Sequence, residues 1–223
     1  MSNLGSRLEA AIGLLSTIEN NKLFADIGSD HAFLAIEMIK RGIAENAIAA
    51  DINPMPLEKG RQNAANQGID INFILSDGFD DLEEKNITSA AICGMGGELI
   101  AKMILRSGIA HKCSLVLQPM SAQEDLRKVL WDNGFDIKTE RFEVDCGKAY
   151  TVMLCKYDGI IREYSYADLF LGKDRKSSPE FSEYCKKIKA AAEKRRLGSI
   201  ARNENPDNID ELINICQAQI TNF

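Results

Sequence analysis

Residues 23 to 34 of the chain read Leu23-Phe-Ala-Asp-Ile-Gly-Ser-Asp-His-Ala-Phe-Leu34. A short apolar run leads to Asp26 and Gly28, and apolar residues return at helical spacing from Phe33 onward. This order predicts a strand, a tight turn and a helix. In an open α/β sheet, such a turn lies at the carboxyl edge of a central strand, where ligands bind against glycine backbone and a helix N-terminus. We therefore expect a ligand site here.

A second acidic residue ends the next apolar run, Ile48-Ala-Ala-Asp51. Asp51 follows Asp26 by 25 positions. Nucleotide-binding folds place a carboxylate for the ribose hydroxyls about 20 residues after their glycine-containing turn. The spacing predicts a site for a cofactor that carries adenosine.

Apolar runs alternate with amphipathic stretches along the first 157 residues. Asn53 is expected to cap, through its side chain, a helix that begins at Pro54. Besides the opening stretch, helices are predicted at residues 4–19, 54–67, 98–105 and 122–132, and strands at 47–52, 71–75, 89–93, 114–118, 135–144 and 149–157.

The last two strands alternate apolar and polar residues across a short turn, which predicts an antiparallel pair. Strands that alternate with helices require right-handed crossovers and a mostly parallel sheet. The fold class is therefore α/β, with a Rossmann-like, mostly parallel, doubly wound sheet and an antiparallel edge.

The pattern changes after residue 157. Two helices are predicted, at residues 179–195 and 208–221, with a turn-rich segment at 203–207 between them. We expect a small helical hairpin packed on or beside the sheet. The predicted organisation is a cofactor-binding domain at residues 1–157 and a helical domain at 158–223.

Composition restricts the classes of protein to consider. The chain has 223 residues and six cysteines without C-x-x-C spacing or a neighbouring histidine pair, so reduced thiols and no metal site are expected. The longest apolar runs are strand-sized, which argues against a membrane span. The first residues carry charge where a signal peptide needs an apolar core, so we expect a mature cytoplasmic protein.

Charge is distributed unevenly. The formal net charge is −6, with 22 acidic and 15 basic residues before residue 156, whereas residues 156 to 223 hold 11 and 12. Residues 186 to 196 contain six cations and one glutamate. Such a run is either a solvated helix face or a site for an anionic partner such as RNA phosphate.

Two cofactor classes share the predicted architecture. A dinucleotide site needs G-x-G-x-x-G, so that the pyrophosphate can approach the helix N-terminus. Here Asp30 occupies the second glycine position, and its carboxylate would repel a pyrophosphate. S-adenosylmethionine has no phosphate and carries an ammonium and a sulfonium. The charge pattern therefore favours S-adenosylmethionine over NAD.

Several motifs together resemble the bacterial tRNA (adenine-22-N1)-methyltransferase family, TrmK. They are Ala25-Asp-Ile-Gly-Ser-Asp-His-Ala-Phe-Leu34, Ser76-Asp-Gly-Phe79, Ile92-Cys-Gly-Met-Gly-Gly-Glu-Leu-Ile100, Leu117-Gln-Pro119, Gly147-Lys-Ala-Tyr150, Asp168-Leu-Phe-Leu-Gly172 and Pro179-Glu-Phe181. The resemblance implies a Rossmann-like methyltransferase domain, a coiled-coil-like helical domain and methylation of N1 of an adenine in the D-arm of tRNA. Met120 departs from the family pattern, since a polar Asn is expected there.

The resemblance also implies roles for single residues. Asp26, Gly28, Ser29, Asp30 and His31 would surround the methionine end of S-adenosylmethionine. Asp51 would bind the ribose, and Ile52 and Asn53 would lie beside the adenosine. Asp77 and Gly78 would contact the adenine edge. Gly94 and Met95 would line the pocket where base and donor meet.

Catalytic and RNA-binding candidates complete the predicted site. Asp26 is a catalytic candidate, and Gln118, at a strand end expected to face the pocket, is the candidate for holding the target base. The RNA-binding candidates are Arg7, Lys186, Lys187, Lys189, Lys194, Arg195 and Arg196. The expected partner is tRNA, without a membrane or an obligate protein partner. A methyltransferase for another RNA site, a small molecule or a protein, a nicotinamide oxidoreductase and a non-catalytic scaffold remain the alternatives.

Overall fold

The computed structural model describes residues 4–83 and 85–222. Strands and helices alternate along most of the chain, and the last part is helical. The helices are α1 (Ser6–Leu15), α2 (Phe33–Lys40), α3 (Pro54–Asn66), α4 (Gly97–Arg106), α5 (Gln123–Asp132), α6 (Tyr166–Leu171), α7 (Pro179–Ala201) and α8 (Asp207–Thr221). The strands are β1 (Leu23–Ile27), β2 (Asn46–Asp51), β3 (Asn72–Leu75), β4 (Ser89–Gly96), β5 (Ser114–Ser121), β6 (Phe135–Asp145) and β7 (Lys148–Tyr157).

The seven strands form one sheet in the order β3-β2-β1-β4-β5-β7-β6. Strands β1 to β5 pair in parallel, and β7 runs antiparallel to both β5 and β6. The prediction of a Rossmann-like, mostly parallel sheet with an antiparallel edge is confirmed. The reversed strand is β7, which lies one position inside the edge strand β6.

Strand β1 is central because both of its faces are covered. Phe24 packs into the core on one face, and Ala25 and Ile27 pack into the core on the other, all with about 1% exposure or less. Full burial of a large apolar side chain stabilises a fold by about 1.5 to 3 kcal/mol, so a strand in this position must be an apolar run. The same placement brings Asp26 to the carboxyl edge of the sheet.

Local differences from the predicted elements have identifiable causes. The predicted side-chain cap by Asn53 is wrong, because Asn53 makes no side-chain cap bond and its backbone N–H instead donates to Asp51 Oδ1 at 2.8 Å. Helix α6 was not predicted from the sequence. Its start is fixed by a capping box in which Ser165 and Asp168 bond each other's backbone N–H.

The C-terminal helices α7 and α8 pack against one another, which confirms the predicted helical hairpin. Their apolar residues form a core with side chains from the sheet edge. Phe142 of β6 lies 4.6 Å from the Phe181 ring and 4.9 Å from the Tyr184 ring, measured between centroids. The helices are therefore seated directly on the end of the sheet that β6 and β7 form.

A buried ion pair joins α5, β6 and α6. Arg127 has no exposed surface, and its Nη2 lies 2.9 Å from Glu140 Oε1. Its Nη1 donates to the carbonyls of Leu169 and Phe170, and the Thr151 hydroxyl donates to Glu140. Burial alone would lower the pKa of Arg127, but Glu140 raises the pKa above its usual value. Arg127 is therefore charged, and each member of the pair has several hydrogen-bond partners.

Trp131 marks the place where the segment before α6 crosses α5. The chain has one tryptophan, and its ring is 1% exposed. It stacks on Tyr164 with 5.5 Å between centroids, and Lys173 Nζ lies 4.9 Å from its centroid. The Trp131 carbonyl also accepts from the Arg162 backbone N–H at 3.2 Å. These contacts hold the segment against the sheet part of the molecule.

Within residues 4–83 and 85–222, no helix has the length and apolar character needed to cross a membrane. In the same part of the chain, no group of three or more His, Cys, Asp or Glu side chains is placed to hold a metal ion. The six cysteines are free thiols.

Candidate functional site

A cleft of about 470 Å³ opens at the carboxyl ends of β1 and β4. It lies where the sheet order changes direction, with β1 between β2 and β4. Such crevices are the usual ligand sites of open α/β sheets. The lining residues are Arg7, Leu8, Asp26, Gly28, Asp30, Phe33, Leu34, Cys93, Gly94, Met95 and Met120.

The turn from β1 to α2 is held in a compressed conformation. Gly28 has φ of +71°, a backbone conformation that favours glycine, and the flexible end of the Met95 side chain lies where a Cβ would be. His31 and Ala32 also have positive φ, at 63° and 57°. Left-handed conformations are costly for residues other than glycine and collect at functional sites. Asn63 Nδ2 donates to the His31 carbonyl at 3.0 Å and helps to hold the turn.

Asp26 is the buried acid of the cleft. It is 5% exposed, and its Oδ2 accepts from the Ser29 hydroxyl at 2.6 Å. Burial raises the pKa of Asp26 to about 6, and the nearby Asp51 carboxylate also raises it. No lysine or arginine of the described residues forms an ion pair with Asp26. An ionised carboxylate buried in this way is unfavourable unless a ligand supplies the positive charge.

Asp30 and His31 lie at the outer side of the turn. Asp30 lines the cleft, and His31 Nε2 lies 3.1 Å from Asp30 Oδ1. The His31 ring packs near the Phe33 ring, with 5.6 Å between centroids. The structure thus brings Asp26, Gly28 and Asp30 to the cleft wall, with Ser29 behind Asp26 and His31 beside Asp30.

Asp51 ends the neighbouring strand β2 and is 9% exposed. Its Oδ1 accepts from the Asn53 backbone N–H, while Ile52 between them is 60% exposed. Neither Asp51, Ile52 nor Asn53 lines the cleft itself. They lie at the next strand end along the same sheet edge, since β1 and β2 pair in parallel.

Asp77 and Gly78 lie at the third strand end and do not line the cleft. Asp77 Oδ1 is 2.7 Å from Arg106 Nη2, so its carboxylate already has a cation partner. The Ser76 hydroxyl donates to the Gly78 carbonyl at 3.1 Å and closes the turn.

The end of β4 approaches the β1 turn. The pairing of β4 with β5 shifts register on both sides of Met95, and Gly94 has φ of +81°. This irregularity points the Met95 side chain at Gly28, as expected for a bulge beside a ligand site. Gly94 and Met95 therefore line the same cleft as Asp26.

Gln118 does not lie where the sequence predicted it. The structure buries it completely, and it is not part of the cleft wall. Its Oε1 accepts from the Gly94 backbone N–H at 3.1 Å and from Arg7 Nη1 at 3.3 Å. The expectation that this side chain faces the pocket and holds a base is corrected accordingly. Gln118 holds the Gly94 loop and Arg7 in place.

Arg7 lies in the cleft wall, whereas the sequence grouped it with the surface cations. It comes from the first turn of α1, and its Nε is 3.5 Å from Asp145 Oδ2. Its Nη1 also lies 3.3 Å from the Met120 sulfur. No spacing in the sequence could have found this position, since 111 residues separate Arg7 from Gln118. The position of Cys93 in the cleft wall was not predicted from the sequence for the same kind of reason. Burial raises the pKa of its thiol well above the usual value.

The basic run of α7 is less free than its sequence suggests. Four of its six cations form ion pairs: Lys186 with Glu183, Lys189 with Glu193, Arg195 with Glu124 and Arg196 with Asp210. The Lys187 ammonium donates to the Ala149 carbonyl at 3.1 Å. Lys194 is exposed. The pairs are at the surface, where such interactions contribute about 0 to 1 kcal/mol and leave the cations available to a stronger anion.

Comparison with known proteins gives the family. The methyltransferase domain family matches residues 4–153. This chain belongs to that family. A curated relative, the tRNA (adenine(22)-N(1))-methyltransferase of Bacillus subtilis, is 31% identical over 155 residues, which is 64% of this chain and 65% of the relative. The sequence match with this methyltransferase thus spans about two thirds of the relative's length.

Solved structures extend the likeness of this methyltransferase-family chain to its C-terminal helices. A Streptococcus pneumoniae protein described as a "putative tRNA (m1A22) methyltransferase", solved with S-adenosyl-L-methionine, has a TM-score of 0.80 and 26% identity, covering 95% of this chain and 98% of its own. The Bacillus subtilis M1A22 tRNA methyltransferase TrmK has a TM-score of 0.79, with 99% and 100% coverage; at 22% identity it shows the fold alone. The resemblance to the tRNA (adenine-22-N1)-methyltransferase family is confirmed.

Proposed function

We propose that this protein transfers a methyl group from S-adenosyl-L-methionine to N1 of adenine 22 in tRNA. The observation that carries the proposal is Asp26, a carboxylate buried without a cation at the glycine turn of the central strand. The relatives named above support the methyl donor and the tRNA substrate. The nicotinamide alternative is disfavoured, because Asp30 lies in the cleft wall where a pyrophosphate would have to approach.

The cleft fits the donor in size and in charge. A volume of about 470 Å³ is within the usual range for small-molecule sites. Asp26 and Asp30 supply negative charge toward an ammonium, and the absence of a side chain at Gly28 lets the Met95 side chain lie against the turn. In this proposal Ser29 and His31 support those two carboxylates.

The remaining donor contacts are assigned along the same sheet edge. Asp51 would bind the ribose hydroxyls, with Ile52 and Asn53 beside the adenosine. Asp77 and Gly78 would contact the adenine edge, which for Asp77 requires sharing the carboxylate with Arg106. Gly94 and Met95 would border the space where donor and target base meet.

The chemistry requires alignment more than a strong base. When bound, the donor supplies a methyl group on a cationic sulfur. Adenine N1 has an in-plane lone pair, so the N1–C bond forms as the S–C bond breaks, the positive charge passes to the adenine ring, and no proton has to leave. Alignment of this kind can contribute about 7 to 11 kcal/mol in favourable systems. Asp26 would therefore act electrostatically, by holding the ammonium end of the donor.

The target base must reach the cleft with its N1 edge exposed. Extruding a stacked or paired base costs a few kcal/mol, which contacts with the rest of the tRNA have to offset. Lysine and arginine contacts with phosphates supply such affinity without reading sequence. In this proposal the cations of α7 and Arg7 contribute that affinity.

The test is methylation of a defined tRNA. The protein is incubated with isotopically labelled S-adenosyl-L-methionine and an unmodified tRNA transcript, and the product is digested to nucleosides. We expect label in 1-methyladenosine, and none with a transcript that carries guanine in place of adenine 22. Label in another nucleoside, or in the guanine-substituted transcript to the same extent, would contradict the proposed site of methylation.

A further inference from the structure

Three cavities meet at one side chain, Met120. It lines the donor cleft, a cavity of about 520 Å³ between the β6–β7 hairpin and α7, and a cavity of about 260 Å³ between the β5–α5 turn and α7. We call the second cavity the hairpin groove. Met120 is 38% exposed. A path to the donor cleft from either groove passes this side chain.

The hairpin groove has the composition of a site for nucleic acid. Its wall contains Tyr150 and Val144 together with Lys148, Lys186 and Lys187, and one acid, Glu183. Glu183 is paired with Lys186 at 2.6 Å, so the groove carries an excess of positive charge. The groove has one aromatic ring, that of Tyr150, which is 8% exposed. A ring and cations in one groove suit a single-stranded nucleotide, because a base can stack on the ring while phosphates meet the cations.

Arg7 lies between the hairpin groove and the donor cleft. Its Nη1 is 3.3 Å from the Met120 sulfur, and its guanidinium carbon is 6.0 Å from the centroid of the Tyr150 ring. A Cβ on Gly94 would lie 3.8 Å from the same Nη1. One guanidinium thus borders the groove on one side and the end of β4 in the cleft on the other.

The smaller cavity is a poorer route for a nucleotide. The ion pair between Arg195 and Glu124 lies in its wall, with 2.7 Å between the charged atoms. The Arg195 guanidinium also covers the Phe170 ring at 4.8 Å from its centroid, closer than Arg7 lies to the Tyr150 ring. Its volume is about half that of the hairpin groove.

We propose that the target nucleotide enters through the hairpin groove and that its base packs between Met120 and Tyr150 on the way to the donor. This inference rests on the proposed function and adds the direction of entry and two positioning residues. Met120 provides a flexible thioether that adapts to a flat base, and Tyr150 provides a ring face. Arg7, Lys148 and Lys187 face the flanking phosphates.

The experiment compares Met120→Ala, Tyr150→Leu and Lys148→Gln with Lys156→Gln. Lys156 is the matched control, because it lies on the same strand as Tyr150 but pairs with Ser114 at the opposite end of β5. Single-turnover methylation of tRNA is measured at saturating donor, and donor affinity is measured separately. We expect Tyr150→Leu to lower the methylation rate about tenfold, in line with the loss of one stacking contact, with donor affinity unchanged. Because Met120 also lines the donor cleft, Met120→Ala is expected to lower the rate about tenfold beyond any change in donor affinity.

A second measurement follows the unstacking of the target base. A tRNA with 2-aminopurine at the target position reports unstacking through its fluorescence. The wild type and Lys156→Gln should change this fluorescence on binding, and Met120→Ala and Tyr150→Leu should lose most of the change. A variant that is merely misfolded would lose donor binding as well.

The outcomes separate the two proposals. If the wild type methylates tRNA and all three groove variants behave like Lys156→Gln, entry through the hairpin groove is overturned and the proposed function stands. A loss found with Arg195→Gln but not with Lys148→Gln would assign entry to the smaller cavity and also overturn the inference. A wild-type protein that methylates no tRNA overturns both.

Discussion

Two of the regions that bury charged side chains differ in how that charge is neutralised. Between the sheet and α6, Arg127 and Glu140 are both almost fully buried and bond to one another, and Arg127 also donates to two backbone carbonyls. At the donor cleft, Asp26 is equally hidden, but its hydrogen-bonding partners are neutral. Burying ions costs several kcal/mol each unless the geometry compensates. The Arg127–Glu140 pair offsets this cost within the fold. The cost of burying ionised Asp26 is left for a cationic ligand to offset.

The difference indicates that the Arg127–Glu140 pair serves the fold, whereas the Asp26 carboxylate serves ligand binding. Removing half of the Arg127–Glu140 pair should damage the fold, because an uncompensated ion stays behind. Removing the charge of Asp26 should relieve the fold and damage the function. The two regions therefore make predictions of opposite sign for stability, and each can be measured on the same protein.

The largest expected effect is that of Glu140→Ala. It leaves Arg127 buried without its carboxylate, and breaking such a pair typically destabilises a protein by about 3 to 5 kcal/mol. Urea or thermal unfolding measures the change. The matched control is Glu124→Ala, which removes the partner of the exposed Arg195 and should cost less than about 1 kcal/mol. Equal effects for the two variants would show that burial of the Arg127 pair is not decisive.

Next is Asp26→Asn, which keeps the shape of the side chain and the contact with Ser29. We expect donor affinity to fall about tenfold or more, since a charge-assisted contact is lost. Stability at pH 7 to 8 should rise by on the order of 1 to 3 kcal/mol, because the raised pKa means that ionised Asp26 opposes folding above pH 6. Calorimetric titration with S-adenosyl-L-methionine measures the change in donor affinity, and urea unfolding measures the change in stability. A variant that is both less stable and unchanged in donor affinity would refute this assignment.

The pH dependence of donor binding gives a third comparison. Because the folded pKa of Asp26 is about 6 and the ordinary value is 3.8, the native state holds an extra proton between these values. The stability of the free protein should therefore fall as pH rises through this window. A cationic donor favours the ionised form, so donor affinity should weaken by up to about tenfold per pH unit below pH 6. Titrations from pH 5 to 8 measure this, and Asp26→Asn should flatten the profile.

The smallest expected effect belongs to the paired cations at the surface. Arg196 and Asp210 join α7 to α8, but both side chains are about two fifths exposed. Arg196→Gln should change stability by less than about 1 kcal/mol, and the change should shrink further in high salt. Thermal unfolding at two ionic strengths tests this. A change as large as that of Glu140→Ala would mean that the exposed fraction of an ion pair does not predict its contribution to stability.

The sequence predicted those parts of the fold and site that depend on short stretches of chain. The strand, turn and helix of residues 23–34 and the acidic end of β2 follow from local periodicity and from residues with special backbone conformations. Gln118, Arg7 and Met120 could not be placed in this way. Their roles arise where α1 and the end of β5 meet, more than 100 residues apart in sequence.

The apolar pattern of the last two strands indicates which of them is the inner strand, although the sequence analysis did not predict it. The sequence predicted an antiparallel pair, and the structure places β7 inside β6. The difference is visible in burial, since β7 is buried almost continuously from Ala149 to Met153 while β6 alternates. A strand covered on both faces must be apolar throughout, so the more continuous apolar run marked the inner strand. Two partners of the α7 cations, Glu124 and Asp210, had no such mark, because they belong to other elements.

The position of Trp131 has a practical consequence. Because the chain has one tryptophan, and because Tyr164 and Lys173 cover it, its emission is an intrinsic optical sensor of whether the segment leading to α6 is seated. Detachment of that segment would admit water to the indole and shift its emission to longer wavelength. The unlabelled protein can therefore report, in real time and alongside any titration, whether that segment stays in place.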